Sequence, residues 1–359
     1  MLHAMIMAGG GGTRFWPRSR VQRPKQFLTL SGDRTLLQQA VDRVESQVPP
    51  ERTWVLTSAL HSDEASKQLP ALPPARVVGE PVGRDTAAAI GLGAALIARQ
   101  DPQAVMLVTP ADHVIEPAQE FRKAVHVAEQ MAEEHPAALV TFGIPPTYPA
   151  TGYGYIHRAA EVAHRQGIGV YRVEAFREKP PAELAERYFA SGEYFWNAGI
   201  FVWKVGTILG ALRERQPKLH AAVQRIAEAW DGPDRERALR REYEGLDKIS
   251  IDFAVMEHAK EVLVVQAPYR WDDVGSWLAL ERMHPQDADD NTVLARHCGI
   301  HTKGCLIVGD AGRLITTIGV SNLLIIQDGD ATLVADRREE GTVKQLVDEM
   351  KKRGLESYL

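Results

Sequence analysis

Four consecutive glycines, Gly9, Gly10, Gly11 and Gly12, follow directly on the apolar run Ala4 to Ala8 and lead into Thr13-Arg14. Backbone without Cβ atoms lets several N–H groups close around a polyphosphate. Arg14 adds a bidentate fork and Lys25, after Pro24, a point charge. The glycines alone would equally suit an ordinary turn; the two cations direct the run toward an anion. It is not a dinucleotide fingerprint, because Phe15 stands where the third glycine belongs. It is not a P-loop either, because no Gly-Lys-Ser/Thr follows. Asp112 closes a second apolar run, and Asp272-Asp273 lies far downstream. Taken singly, Asp112 would pass as a cap or turn residue. Glu178-Lys179 precedes Pro180-Pro181, which stiffen the chain there, although an exposed ion pair at a helix start is the ordinary role of such a couple. Asn197, within the apolar stretch Trp196 to Trp203, needs hydrogen-bond partners if buried.

The elements that must position these groups alternate. Ala4–Ala8, Trp54–Thr57, Arg76–Val78, Ala104–Thr109 and Ala137–Phe142 read as strands. Leu36, Leu37, Ala40, Val41 and Val44 recur at helical spacing. Ala87–Arg99, capped by Asp85 or Thr86, and Phe121–Glu134 read as further helices. Such alternation predicts an α/β fold, a parallel sheet with helices on both faces. Ligands then bind beyond the carboxyl ends of the strands, where the loops after Ala8, Val78 and Thr109 lie. After Arg282 the pattern changes. Asn291 to Asp336 is punctuated by glycine turns and rich in Val, Ile, Leu and Thr, and it predicts short strands closed by a helix around Val343 to Lys352.

Composition narrows the class. With 45% hydrophobic and 25% charged residues over 359 positions, the chain is globular and needs no staples. A net charge of -5 argues against nucleic acid as a partner. Two cysteines and the lack of a signal or membrane-spanning run predict a cytoplasmic protein with no membrane partner. His297, Cys298, His301 and Cys305 do not follow zinc spacing, and the cysteines are expected to be core residues.

The run Met7 to Arg20 with Arg23-Pro24-Lys25-Gln26-Phe27 resembles the signature of the mannose-1-phosphate guanylyltransferases, in the nucleotide-sugar pyrophosphorylase superfamily. Similar segments follow in order at Glu80–Ala87, Asp112-His113, Thr151–Ile156, Phe176–Pro180, Trp196–Phe201, Ser250–Glu257 and Trp271–Trp277. Two positions depart from the family pattern: Asp85 replaces the usual Asn, and Arg177 an apolar residue. The resemblance implies a Rossmann-like nucleotidyltransferase domain with a mixed, mainly parallel sheet (residues 1–284) and a small C-terminal all-β, β-helix-like domain (285–359). It implies transfer of GMP from GTP to mannose 1-phosphate. Arg14, Lys25, Asp112, Lys179 and Asp273 would be catalytic. Ala8, the four glycines, Thr13, Glu80, Pro81, Arg84 and Thr86 would bind the nucleotide. Gly152, Gly154, Glu178, Lys179 and Asn197 would line the sugar-phosphate side. Asp112 and Asp273 would hold magnesium or another divalent cation; Asp273 is preferred to Asp272 because the family pattern is aromatic, any residue, Asp, any residue, Gly. No phosphomannose isomerase activity is expected, since longer members append a cupin-like domain for it. The β segment would pack on the catalytic domain or on a second copy in a homodimer. Two other readings stand beside this one: a nucleotidyltransferase for a different sugar 1-phosphate, and a noncatalytic nucleotide-sugar-sensing subunit.

Overall fold

The computed structural model describes residues 1–359. In chain order its elements are β1 (Leu2–Ala8), α1 (Leu36–Val44), β2 (Thr53–Ser58), α2 (Ser62–Gln68), β3 (Val77–Glu80), α3 (Asp85–Gln100), β4 (Val105–Pro110), β5 (Val114–Glu116), α4 (Ala118–Glu134), β6 (Leu139–Ile144), β7 (Tyr155–Arg165), β8 (Ile168–Arg177), α5 (Ala182–Ser191), β9 (Tyr194–Lys204), α6 (Val205–Arg215), α7 (Pro217–Glu228), α8 (Arg235–Glu244), α9 (Ile251–Ala254), β10 (Val262–Gln266), β11 (Arg270–Asp272), β12 (Thr292–Leu294), β13 (Arg296–Ile300), β14 (Leu306–Val308), β15 (Leu314–Ile318), β16 (Leu323–Asp328), β17 (Ala331–Asp336) and α10 (Val343–Lys352). They fall into two compact units. One comprises residues 1–9, 38–111 and 115–271, the other 10–37, 112–114 and 272–359.

The first unit is built on a nine-stranded mixed sheet of order β3-β2-β1-β4-β9-β6-β10-β8-β7. The first four strands of that order run parallel, and β9 enters antiparallel to β4. Met5, Met106 and Val108 point into a core shared with α3, α6 and α7. Their neighbours Ala4, Ile6, Val105 and Leu107 are buried outside that cluster, and α4 packs on β4, β6, β9 and β10. Covering both faces in this way explains why the strands read as unbroken apolar runs. Helix α3 is buried from Ala87 to Ile97. Its small residues allow the close approach: a Cβ on Gly93 would overlap the Met5 sulfur, and one on Gly91 would stand 2.8 Å from Leu219 Cδ2. Neither Asp85 nor Thr86 caps this helix, contrary to expectation. The Asp85 carboxylate accepts only from the adjacent Thr86 N–H (2.8 Å), and the Thr86 hydroxyl accepts from Ile251 N–H (2.8 Å). The helix begins earlier, with Arg84 at the cap position, so Asp85 takes the N–H of the next residue from inside the first turn while the Thr86 hydroxyl turns to a donor far along the chain.

In the second unit β12, β14 and β16 stack in parallel, with Thr292 opposite Leu306 and Leu306 opposite Leu324, while β13 stacks on β15. Successive coils contributing one strand to each of two sheets make this segment β-helix-like, and β17 closes it antiparallel to β16. Leu306, Val308, Leu324 and Ile326 share a core with Phe15, Trp16, Leu28, Leu30 and Trp277. The basic loop after the glycines is therefore a packed structure. Trp16 Nε1–H donates to the Tyr358 carbonyl (2.8 Å), and Trp277 Nε1–H to the Trp16 carbonyl (3.1 Å). Helix α10 adds Val343, Val347 and Met350, one face at helical spacing. Only Cys305 behaves as the core residue expected of both cysteines. Cys298 is exposed on β13, a strand in which His297 is half-buried and every other residue is exposed. No helix is long and apolar enough to cross a membrane.

Candidate active site

The second unit gathers the glycine loop, Lys25, Asp112 and Asp273. Gly10 and Gly12 have φ of 99° and 55°, the left-handed region that favours glycine. Gly12 is required twice over, since a Cβ there would overlap Lys25 Cβ and lie 2.7 Å from Lys25 N. The Gly12 carbonyl accepts from Ser19 Oγ–H at 2.7 Å and from Phe15 N–H at 3.0 Å, which turns the chain into the packed Phe15-Trp16 segment. Arg14 stands exposed and makes no hydrogen bond or ion pair, and Thr13 is half-buried beside it. Lys25 is buried. Its Nζ donates to Asp112 Oδ2 (2.8 Å) and to the Asp273 carbonyl. Burial would raise the Asp112 carboxyl, but the charges of Lys25 and His113 and the bond from Lys25 outweigh it and hold the group below the usual carboxylate range.

The two adjacent aspartates turn to different neighbours. Asp272 is committed: Arg282 Nε and Nη2 donate to its two oxygens at 2.5 and 2.9 Å, and Val274 N–H donates to it at 2.7 Å. Asp273 is half-buried and presents its carbonyl to Lys25. Val274, fully buried, holds φ at 45°. A β-branched residue rarely adopts that backbone, so the turn around Asp273 is strained and held by its surroundings.

The first unit holds the other predicted residues. Ala8 ends β1, and its carbonyl accepts from Thr57 Oγ1–H (2.9 Å); Gly9 beyond it is exposed. Glu80 ends β3 and accepts a hydrogen bond from the Tyr243 hydroxyl of α8. Burial pushes the Glu80 carboxyl up to about 7, against the opposing pull of that bond. Pro81 follows it, half-buried. Arg84 is turned to the end of α8, donating to the Tyr243 carbonyl (3.2 Å) and the Glu244 carbonyl. A cleft of about 700 Å³ is lined by Asp85, Thr86, Glu178, Lys179, Ser250 and Asp252, a size that suits a small ligand. Lys179 is exposed, has φ of 38°, and donates to Glu178 Oε1 at 2.6 Å. Gly154 lies close to Glu178, whose Oε2 a Cβ there would approach to 2.7 Å and displace; Gly152 faces open space. The Asn197 amide finds its partners within the chain: Nδ2–H donates to Asp252 Oδ1 (2.9 Å), and Oδ1 accepts from Gly199 N–H (3.2 Å).

Asp252 and Tyr243 had no role in the sequence reading. Burial, helped by the charge of Glu178, raises the Asp252 carboxyl above its usual range. Asp252 does carry two signals in the sequence, its place in the family-like segment Ser250–Glu257 and a carboxylate inside the apolar run Ile251 to Met256. Tyr243 carried no signal, because a tyrosine in an Arg/Glu-rich helix looks like an ordinary packing residue.

Residues 3–290 match the Nucleotidyl transferase family model, and residues 295–350 match the MannoseP isomerase/GMP-like beta-helix domain. The chain is 39% identical to the mannose-1-phosphate guanylyltransferase of Escherichia coli K12, over 98% of this chain and 74% of that protein. It is also 39% identical to the mannose-1-phosphate guanylyltransferase of Klebsiella pneumoniae, over 100% of this chain and 76% of that one. Among solved structures it is similar to a Thermus thermophilus protein described as a "mannose-1-phosphate geranyltransferase". The TM-score is 0.87 and the identity 37%, covering 98% of this chain and 99% of that chain.

Proposed function

The chain belongs to the nucleotidyl transferase family, and from that premise we propose that it transfers GMP from GTP to α-D-mannose 1-phosphate. A phosphate oxygen of the sugar attacks the α-phosphorus, the bond from that phosphorus to the bridging oxygen breaks, and pyrophosphate leaves with the electron pair. No protein nucleophile is needed; the work is alignment and offsetting of charge.

The observation that carries this reading is the Lys25 ammonium, held between the Asp112 carboxylate and the Asp273 carbonyl under the glycine loop. Gly9, Gly10, Gly11, Gly12 and Thr13 offer N–H groups to the triphosphate, and the unpaired Arg14 grips its oxygens. The ammonium already stands where a cation is attracted, and the donors around it are hard oxygens. That set fits a divalent metal, which we assign to Asp112 and Asp273; magnesium is the natural occupant, with other divalent cations as substitutes. When bound, it supplies positive charge to the phosphate oxygens. The pairing of Asp272 with Arg282 supports Asp273 as the second ligand.

Glu80 accepts from the guanine N1–H and N2–H, with Pro81 and Thr86 beside the base and Arg84 tying their loop to α8. Gly152, Glu178 and Asn197 face the sugar, and Lys179 contacts its phosphate. The division into a transferase domain (1–284) and a C-terminal β domain (285–359), and association as a homodimer, belong to the same proposal. The test is pyrophosphate release over a matrix of nucleoside triphosphates and sugar 1-phosphates. Release with GTP and mannose 1-phosphate above all other pairs is expected. A higher rate with another sugar 1-phosphate moves the assignment to that sugar, and no release with any pair favours the sensing subunit.

A further inference from the structure

The loop from Glu80 to Thr86 is tied to the chain segment 243–251 through Glu80, Arg84 and Thr86. Besides the two bonds from Arg84, the Tyr243 hydroxyl donates to Glu80 Oε1 and Ile251 N–H donates to Thr86 Oγ1 (2.8 Å). Ala87 N–H donates to the Ile249 carbonyl at 3.2 Å. Tyr243 itself is fully buried. Its ring is fixed by the core and cannot follow Glu80 if the carboxyl turns. Of these contacts, only the one from Tyr243 acts on the carboxyl group that the proposed function gives to the base.

We infer that Tyr243 is a specificity-determining positioning residue: its buried hydroxyl fixes the rotation of the Glu80 carboxyl, so that Oε2 and the remaining lone pair of Oε1 meet the two donors of a guanine edge together. The inference rests on the assignment of Glu80 to the base. Guanine presents N1–H and N2–H side by side, and a carboxylate serves both only when its plane contains them. A freely turning carboxylate keeps one bond at best. Discrimination depends on the second, because a base lacking that donor leaves a buried acceptor unpaired. The charged and titratable groups around Glu80 are Tyr243 and, against Tyr243, Arg84. A bond donated by the hydroxyl favours the ionised carboxylate, the form that accepts from guanine.

Tyr243→Phe keeps the ring and removes only the hydroxyl. It is compared with wild type and with Glu80→Gln, using GTP, ATP and inosine triphosphate, which lacks the 2-amino donor. The expected result for Tyr243→Phe is a KM for GTP raised about tenfold and a preference for GTP over inosine triphosphate reduced by a similar factor. The KM for mannose 1-phosphate at saturating GTP should stay as in wild type. The acid limb of kcat/KM for GTP should move to higher pH, which a purely structural loss would not cause. If Glu80→Gln loses the preference for GTP while Tyr243→Phe retains it with an unmoved acid limb, the inference about Tyr243 is overturned and the base assignment stands. If Glu80→Gln keeps the full preference, both fall.

Discussion

Lys25 organises the charged set at the scale of single residues. Its Nζ joins Asp112 to the turn at Asp273, while Asp272, one position away, belongs to Arg282. Three neutralising substitutions should therefore behave differently. Asp112→Asn and Asp273→Asn remove a proposed metal ligand, so turnover should fall at least about a hundredfold while the fold persists. Asp272→Asn should leave turnover near normal and cost about 1 kcal/mol of stability, the upper end for a partly exposed ion pair. Pyrophosphate release and denaturation midpoints of the three variants check this. Near-normal turnover in either of the first two removes that residue as a ligand. Lys179 is the cation assigned to the other substrate. It is exposed and paired with Glu178, so its contact with a phosphate is charge-assisted but open to solvent. Lys179→Ala should raise KM for mannose 1-phosphate about tenfold, with GTP affinity unchanged. A loss of GTP affinity with normal use of mannose 1-phosphate would reverse the assignment.

Elements place these residues through turns more than through strands or helices. The glycine run shows the difference between permissive and required glycines. Nothing stands within 4 Å of a Cβ built on Gly9, whereas one on Gly12 collides with Lys25 on a backbone at φ 55°. Gly12→Ala should cost about 2 kcal/mol or more from the left-handed backbone and the overlap together, and it should lower turnover by displacing Lys25. Gly9→Ala should cost less than about 1 kcal/mol. Urea denaturation with turnover on both variants decides the matter, and equal effects would refute the packing argument. The element pattern itself was legible in the sequence: α10 lies where Val343 to Lys352 predicted it, β1 and β2 contain the apolar runs read as strands, and β4 contains the run from Ala104 to Thr109 but for Ala104 itself. The start of α3 was misread. Cap preference is a local statistic, and here Thr86 answers to Ile251, a residue far along the chain.

For the molecule as a whole, stability depends on two desolvated groups, buried His3 and half-buried Glu80, that titrate in the same range with opposite sign. His3, on β1, is buried with neither ring nitrogen bonded, and burial lowers it from 6.5 to about 4. The unfolded chain then binds the proton more readily between those values. Its contribution is complete above pH 6.5 and is lost as the pH falls toward 4, by roughly 3 kcal/mol. Glu80, raised from 4.5 to about 7, favours the folded state below pH 4.5 and loses that contribution as the pH rises toward 7. His3→Leu should therefore flatten the acid side of the stability profile, and Glu80→Gln should lift the neutral side. Both are read as free energies of unfolding at a series of pH values, and a His3→Leu profile parallel to wild type would disprove the first. The alternation of strands and helices, the change of character after Arg282, the glycine loop with its cations and, through the motifs, the family could all be read from the linear chain. Each is written in neighbouring residues, as periodicity, turn chemistry and short spacing. The partner that each charged group takes could not be read there and emerged with the folded arrangement. Lys25 meets Asp112 across 87 residues and Tyr243 meets Glu80 across 163, because strand order and helix packing bring those atoms together, and a buried polar group must satisfy itself with whatever the fold places within reach.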